Sequence, residues 1–131
     1  RAGRVFLDPR TRRALLFSVE RIPHFGGPLV VLTSEKTASA AEIFAHALQE
    51  RKRAAILGGE TCGCVLGISR ARKLADGGTL ALSEMDYQTA AGTRLEGVGV
   101  TPDERLPLKL SDLVRRRDAT LERALEMIRE R

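Results

Sequence analysis

An α/β fold with parallel strands is predicted by three features of the sequence. Two short apolar runs, "PLVVLTS" at 28–34 and "AAILGG" at 54–59, lack polar alternation, as expected of strands covered on both faces. Between them, "ASAAEIFAHALQERKR" at 38–53 carries helical periodicity. A strand, a helix and a second strand in this order make one βαβ crossover, which joins parallel strands.

Along the chain, "GRVFLD" (3–8) and "RALLFSVERI" (13–22) have strand character and are separated by the turn-like "DPRT". "HFGG" (24–27) is a loop before the first apolar run. On the helix, Ile43, Phe44, Ala47 and Leu48 share one face, with Glu42, His46, Gln49 and Glu50 on the polar side. After a turn at Gly63, "ISRARKL" (68–74) and "TLALSEMDYQT" (79–89) alternate around "ADGG", a hairpin signal in which Asp76, Gly77 and Gly78 form the turn. "AAGT" (90–93) turns the chain again, and "LEGVGVTPDERLPL" (95–108) reads as an extended passage in which Pro102 and Asp103 end a loop. The last segment, 110–131, is one helix or a pair. Ser111, or Asp118 with Thr120, could cap it, and Leu121, Ala124, Leu125 and Ile128 form its apolar stripe.

The bulk numbers suit one globular domain. The chain has 131 residues, 43% apolar and 30% charged. Aromatics are 4% and Trp is absent, so a core of Leu, Val, Ile and Ala is expected. The net charge of +5 gathers near the start, where Arg1, Arg4, Arg10, Arg12, Arg13 and Arg21 face only Asp8 and Glu20. No aromatic platform or zinc-finger pattern accompanies these arginines, which argues against nucleic acid as a partner. No apolar run is long enough for a membrane-spanning helix, so membrane insertion is not expected. The opening "RAGRVFLDPR" reads like the middle of a domain, and a fragment is expected. Cys62 and Cys64, in a C-G-C, do not match metal-site spacing, and a bridge across one residue should be strained, so free thiols are expected.

Ser39 and Glu42 have the spacing of a capping box, with serine at the N-cap and glutamate three residues on. The same geometry suits a nucleophile. A serine at a helix start, flanked by Ala38 and Ala40, is open to a carbonyl carbon, and the adjacent N–H groups and helix dipole can hold an oxyanion. Local spacing does not separate the two readings.

The order of pieces from Pro28 to Asp103 does: a strand, a Ser-Ala-x-Glu helix start, a strand ending in Gly-Glu-Thr, an Asp-Gly-Gly hairpin, then "GVGVTPD". This order resembles the C-terminal-processing peptidases, or tail-specific proteases, with their tricorn-core and interphotoreceptor retinoid-binding relatives. The resemblance implies a crotonase-like α/β core of parallel strands and crossover helices, with a β-hairpin and a C-terminal helix. Residues 1–131 then form part of a catalytic domain, its core resemblance at 28–103 and a helical tail at 111–131. Ser39 matches the family nucleophile, and Ala40 the residue whose backbone N–H serves the oxyanion. The family's general-base lysine falls at Cys64 and the glutamine that orients it at Ile68, so two of three members of that set are absent. A thiol is a poor base, although Cys64 could be an alternative nucleophile.

Glu96, in "RLEGVGV", resembles the acid of the Ser-His-Glu set of the tricorn-like branch, whose histidine comes from an upstream segment. His46 lies two helical turns beyond Ser39, about 10 Å away, too far for direct proton transfer, and fits a solvated residue between Glu42 and Glu50. His24 has no counterpart in the family's site. The resemblance implies an extended polypeptide substrate, no metal or organic cofactor, a homo-oligomer as one option, and an extracytoplasmic location. The competing reading is a non-catalytic homologue that binds peptides or hydrophobic ligands.

Overall fold

The computed structural model describes residues 4–7, 14–16, 25–89 and 91–130. Strands β1 (Arg4–Leu7) and β2 (Ala14–Leu16) pair antiparallel, and the turn expected at 8–11 lies outside the described residues. The predicted crossover follows. Strand β3 (Val30–Thr33), helix α1 (Ala40–Glu50) and strand β4 (Ala55–Gly58) form a βαβ unit, and β3 and β4 pair parallel from Val30 opposite Ala55 to Thr33 opposite Gly58. Strands β5 (Gly67–Lys73) and β6 (Thr79–Met85) are the predicted hairpin. Its turn is closed by Asp76, whose Oδ1 accepts Gly78 N–H at 2.9 Å, while Gly77 takes the left-handed φ of 86° that the turn requires.

The passage at 95–108 holds an element its composition does not announce. Strand β7 (Glu104–Arg105) pairs parallel with β4, giving a three-stranded sheet in the order β3-β4-β7. Asp103 sets its register. Its N–H donates to Ile56 O at 2.8 Å, its Oδ2 accepts Ile56 N–H at 2.7 Å and its Oδ1 accepts Gln49 Nε2 at 2.9 Å. The residue expected merely to end a loop therefore joins the start of β4 to the last turn of α1. Pro102 is buried beside it.

Helices α2 (Leu110–Val114) and α3 (Ala119–Arg129) end the chain as a pair. Asp118 caps α3 by accepting Leu121 N–H at 2.9 Å, as expected, but α2 starts after Lys109 with no side-chain cap, so Ser111 does not serve there. Helix α3 packs on β3 and β4. Of its predicted stripe only Ala124 is buried; Leu121, Leu125 and Ile128 remain exposed.

The core beside the crossover joins Val65, Tyr87, Leu95 and Val100, with Ile43 of α1 against them. The chain's only tyrosine thus takes a place expected for an aliphatic residue. Helix α1 also departs from its predicted facing. Phe44 is exposed, whereas Glu42 and Ala45 are completely buried. Simple periodicity fails here because the Glu42 carboxylate finds its partners inside the fold.

Candidate active site

The site is built around Glu42. Its Oε1 accepts the Thr61 hydroxyl at 2.5 Å and Gly63 N–H at 2.7 Å; its Oε2 accepts Cys64 N–H at 2.9 Å and Ser39 N–H at 3.0 Å. A buried carboxylate without such partners would be strongly disfavoured. Burial pushes the Glu42 pKa up, but hydrogen bonds from Thr61, Cys64, Gly63 and Ser39 outweigh it and leave the group below its ordinary value of 4.5. Glu42 is therefore an anion that fastens the 61–64 turn to the start of α1. Its position three residues after Ser39 was visible as a capping signal; partners some twenty residues away were not.

Ser39 sits at the N-cap with φ 58° and ψ −128°, a left-handed backbone rarely adopted by a residue with a side chain. The strain persists because both flanks are held. Ser39 N–H is shared between Cys64 O at 3.0 Å and Glu42 Oε2, and Ser39 O accepts the N–H groups of Glu42 at 3.0 Å and Ile43 at 3.3 Å. The capping box is thus strong in its Glu42-to-Ser39 half. The other half, from Glu42 N–H to the Ser39 side chain, is loose and makes no full cap hydrogen bond. Ser39 and Ala40 are exposed, and Ala40 N–H has no acceptor among the described residues. It lies at the positive end of α1 beside the exposed serine, where a developing oxyanion would be stabilised.

The 61–66 turn is gripped from its other side by the "LEGVGV" passage. Thr61 Oγ1 accepts Val100 N–H at 2.7 Å, and Gly63 O accepts Gly97 N–H at 2.8 Å. Glu96 Oε2 accepts the N–H groups of Val65 at 2.7 Å and Leu66 at 3.0 Å. Its Oε1 has no hydrogen bond among the described residues. Glu96 therefore lies beside the residues following Cys64, on the turn whose carbonyl meets Ser39. Gly63, at φ 71°, is required here because a Cβ would lie 2.9 Å from Val98 N.

The cysteines correct an expectation. Cys62 and Cys64 are joined in a disulfide, with Cα atoms 5.2 Å apart, rather than standing as free thiols. The left-handed Gly63 folds the backbone back so that two residues separated by one reach ordinary bridging distance. While the bridge stands, Cys64 is neither a thiolate nucleophile nor a base. Ile68 lies in β5, in register with Ser83 of β6. His46 is half-buried, and its Nδ1 is buried without a hydrogen-bond partner among the described residues, so it is less solvated than its flanking glutamates suggest. His24 lies outside the described residues.

A serine with a left-handed backbone at a helix start, an N–H beside it with no acceptor among the described residues and a glycine-rich turn locked against it form the kind of frame that serine-type hydrolases use. The chain belongs to Peptidase family S41, whose sequence model matches residues 7–106. That span contains Ser39, Glu42, the disulfide turn and Glu96, and it begins earlier than the stretch that carries the resemblance. Over 80 residues the chain is 46% identical to Carboxyl-terminal-processing peptidase 2, chloroplastic, of Arabidopsis thaliana, covering 61% of this chain and 15% of that protein. It is 33% identical over 103 residues to Tricorn protease of Thermoplasma volcanium, covering 78% of this chain and 10% of that one. A crystal structure of a putative peptidase from Parabacteroides merdae superposes with a TM-score of 0.75 at 19% identity, covering 96% of this chain and 42% of the other, and bears out the α/β fold. The chain spans a minor part of the length of each.

Proposed function

We propose that this chain supplies the serine-bearing part of a serine-type peptidase that cleaves extended polypeptides, with Ser39 as nucleophile. The observation that carries the proposal is the strained backbone of Ser39, held between Cys64 O and Glu42, with Ala40 N–H unpaired among the described residues. In the reaction, a base removes the Ser39 proton as Oγ bonds to the substrate carbonyl carbon. The carbonyl oxygen, now negative, lies against Ala40 N–H. Collapse expels the amine, which takes the proton back from the base, and water then releases the acyl group from Ser39.

The base is assigned to a part of the protein outside the described residues, since the bridged Cys64 cannot serve and His46 is on the wrong turn of α1. Glu96 is assigned as the acid that orients it: one carboxylate oxygen is anchored by Val65 and Leu66, leaving the other for an imidazole N–H in the tricorn-like manner. An extended substrate fits a sheet whose outer strands, β3 and β7, have unpaired edges among the described residues. The disulfide favours an oxidising, extracytoplasmic compartment. No helix among the described residues is long and apolar enough to cross a membrane.

The test is fluorophosphonate labelling of the full-length protein and of its Ser39→Ala variant. Labelling of the parent that vanishes in the variant is expected. If neither labels, the peptidase reading fails and the alternative stands: a non-catalytic homologue binding peptides or hydrophobic ligands. That reading draws on the missing basic group at Cys64. Isolated residues 1–131 are expected to show little or no cleavage of casein.

A further inference from the structure

We propose that Cys62 and Cys64 form a redox modification site that locks the serine turn when oxidised and loosens it when reduced. The effect on catalysis rests on the reading of Ser39 as nucleophile; the effect on the turn does not. The bridge spans a single residue in the segment to which the site is tied. Cys62 N–H donates to Thr37 O at 2.9 Å, Gly63 and Cys64 donate to Glu42, and Cys64 O accepts Ser39 N–H. The small covalent ring therefore contains the Gly63 and Cys64 N–H groups that donate to Glu42, and the Cys64 carbonyl that accepts Ser39 N–H follows directly after it.

Both cysteines are exposed, so a soluble dithiol has access to the sulfurs. One thiolate of the dithiol attacks a bridge sulfur, the Cys62–Cys64 bond breaks and a mixed disulfide forms. The second thiol of the reagent then displaces the protein sulfur. The dithiol ends as a disulfide, having passed two electrons and two protons to Cys62 and Cys64. The two sulfurs are then no longer bonded and can move apart. The residue between them is the glycine, with the widest backbone freedom of any residue type, and only the hydrogen bonds remain to hold it at φ 71°. Loosening it relaxes the Cys64 carbonyl, the acceptor that holds Ser39 N–H. The cysteine at the family's lysine position thus acquires a role: it ties the turn down rather than acting on the substrate.

The experiment uses the full-length protein with and without dithiothreitol. Iodoacetamide should alkylate Cys62 and Cys64 after reduction and not before, read by peptide mass. Hydrogen exchange of peptides covering 37–44 and 60–66 should quicken by about threefold or more on reduction, and fluorophosphonate labelling of Ser39 should slow by about tenfold, equivalent to one or two net hydrogen bonds. Cys62→Ala should match the reduced protein and ignore the reagent; Cys62→Ser serves if the alanine variant folds poorly. Alkylation before reduction, unchanged exchange in both peptides, or a reagent effect that persists in Cys62→Ala would each overturn the proposal. Faster exchange with no labelling in either state would support the redox site while defeating the peptidase reading.

Discussion

The serine frame and the outer elements are built on opposite terms. Around Ser39, residues from α1, the 61–66 turn and the 95–103 passage are interlocked, and Ile56, Leu57, Leu95 and Val100 are at most 1% exposed. The β5–β6 hairpin and helix α2 instead show apolar side chains to solvent: Leu80 and Leu82 are about 40% exposed, and Leu110 and Val114 are both 76% exposed. The first region is determined by hydrogen bonds that span the sequence, the second by hairpin pairing and bonds within one helical turn. Chemistry needs atoms fixed to fractions of an ångström, and only the first region is braced to provide that.

Predictions that probe the contrast begin with its strongest contact. Glu42→Ala strips the acceptor from four buried or half-buried donors and should cost about 3–5 kcal/mol in urea unfolding, together with Ser39 labelling. A loss below about 1 kcal/mol would mean the frame is not braced through this carboxylate. Acid should have a related effect. Because the folded pKa of Glu42 lies below 4.5, its stabilisation is full above that pH and is lost as pH falls through the depressed value. A denaturant midpoint that drops below pH 4.5 in the parent, with a flatter profile in Glu42→Gln, would confirm it. Ser39→Gly should raise stability by about 1 kcal/mol, since glycine adopts the φ of 58° freely, while abolishing labelling. Destabilisation there would show that the serine is not strained. Val114→Ser, on the exposed side, should change unfolding by less than about 0.5 kcal/mol.

Local signals carried much of the fold. The apolar runs at 28–34 and 54–59 became paired parallel strands, and the Asp-Gly-Gly turn and the Asp118 cap stand where composition placed them. Residues settled by distant partners were less legible. Periodicity put Glu42 on the polar side because Thr61, Gly63 and Cys64 lie beyond any helical window. Strand β7 is the dipeptide Glu104–Arg105, too short and too polar to announce itself, and it exists because Asp103 grips Ile56. The disulfide depended on the sign of φ at Gly63, which spacing alone does not reveal. For the site, Ser39 and Ala40 were named from a pattern, whereas the brace that shapes them was found only in three dimensions.

Gln49 draws these threads to the far end of α1. Its amide donates to Thr101 O and Asp103 Oδ1, both at 2.9 Å, in the passage that continues from Glu96. Helix α1 is thus a beam clamped at both ends, by Glu42 in its first turn and Gln49 in its last. A beam held at both supports keeps one orientation in the fold, so the direction in which Ala40 N–H points is set by contacts at either end of α1.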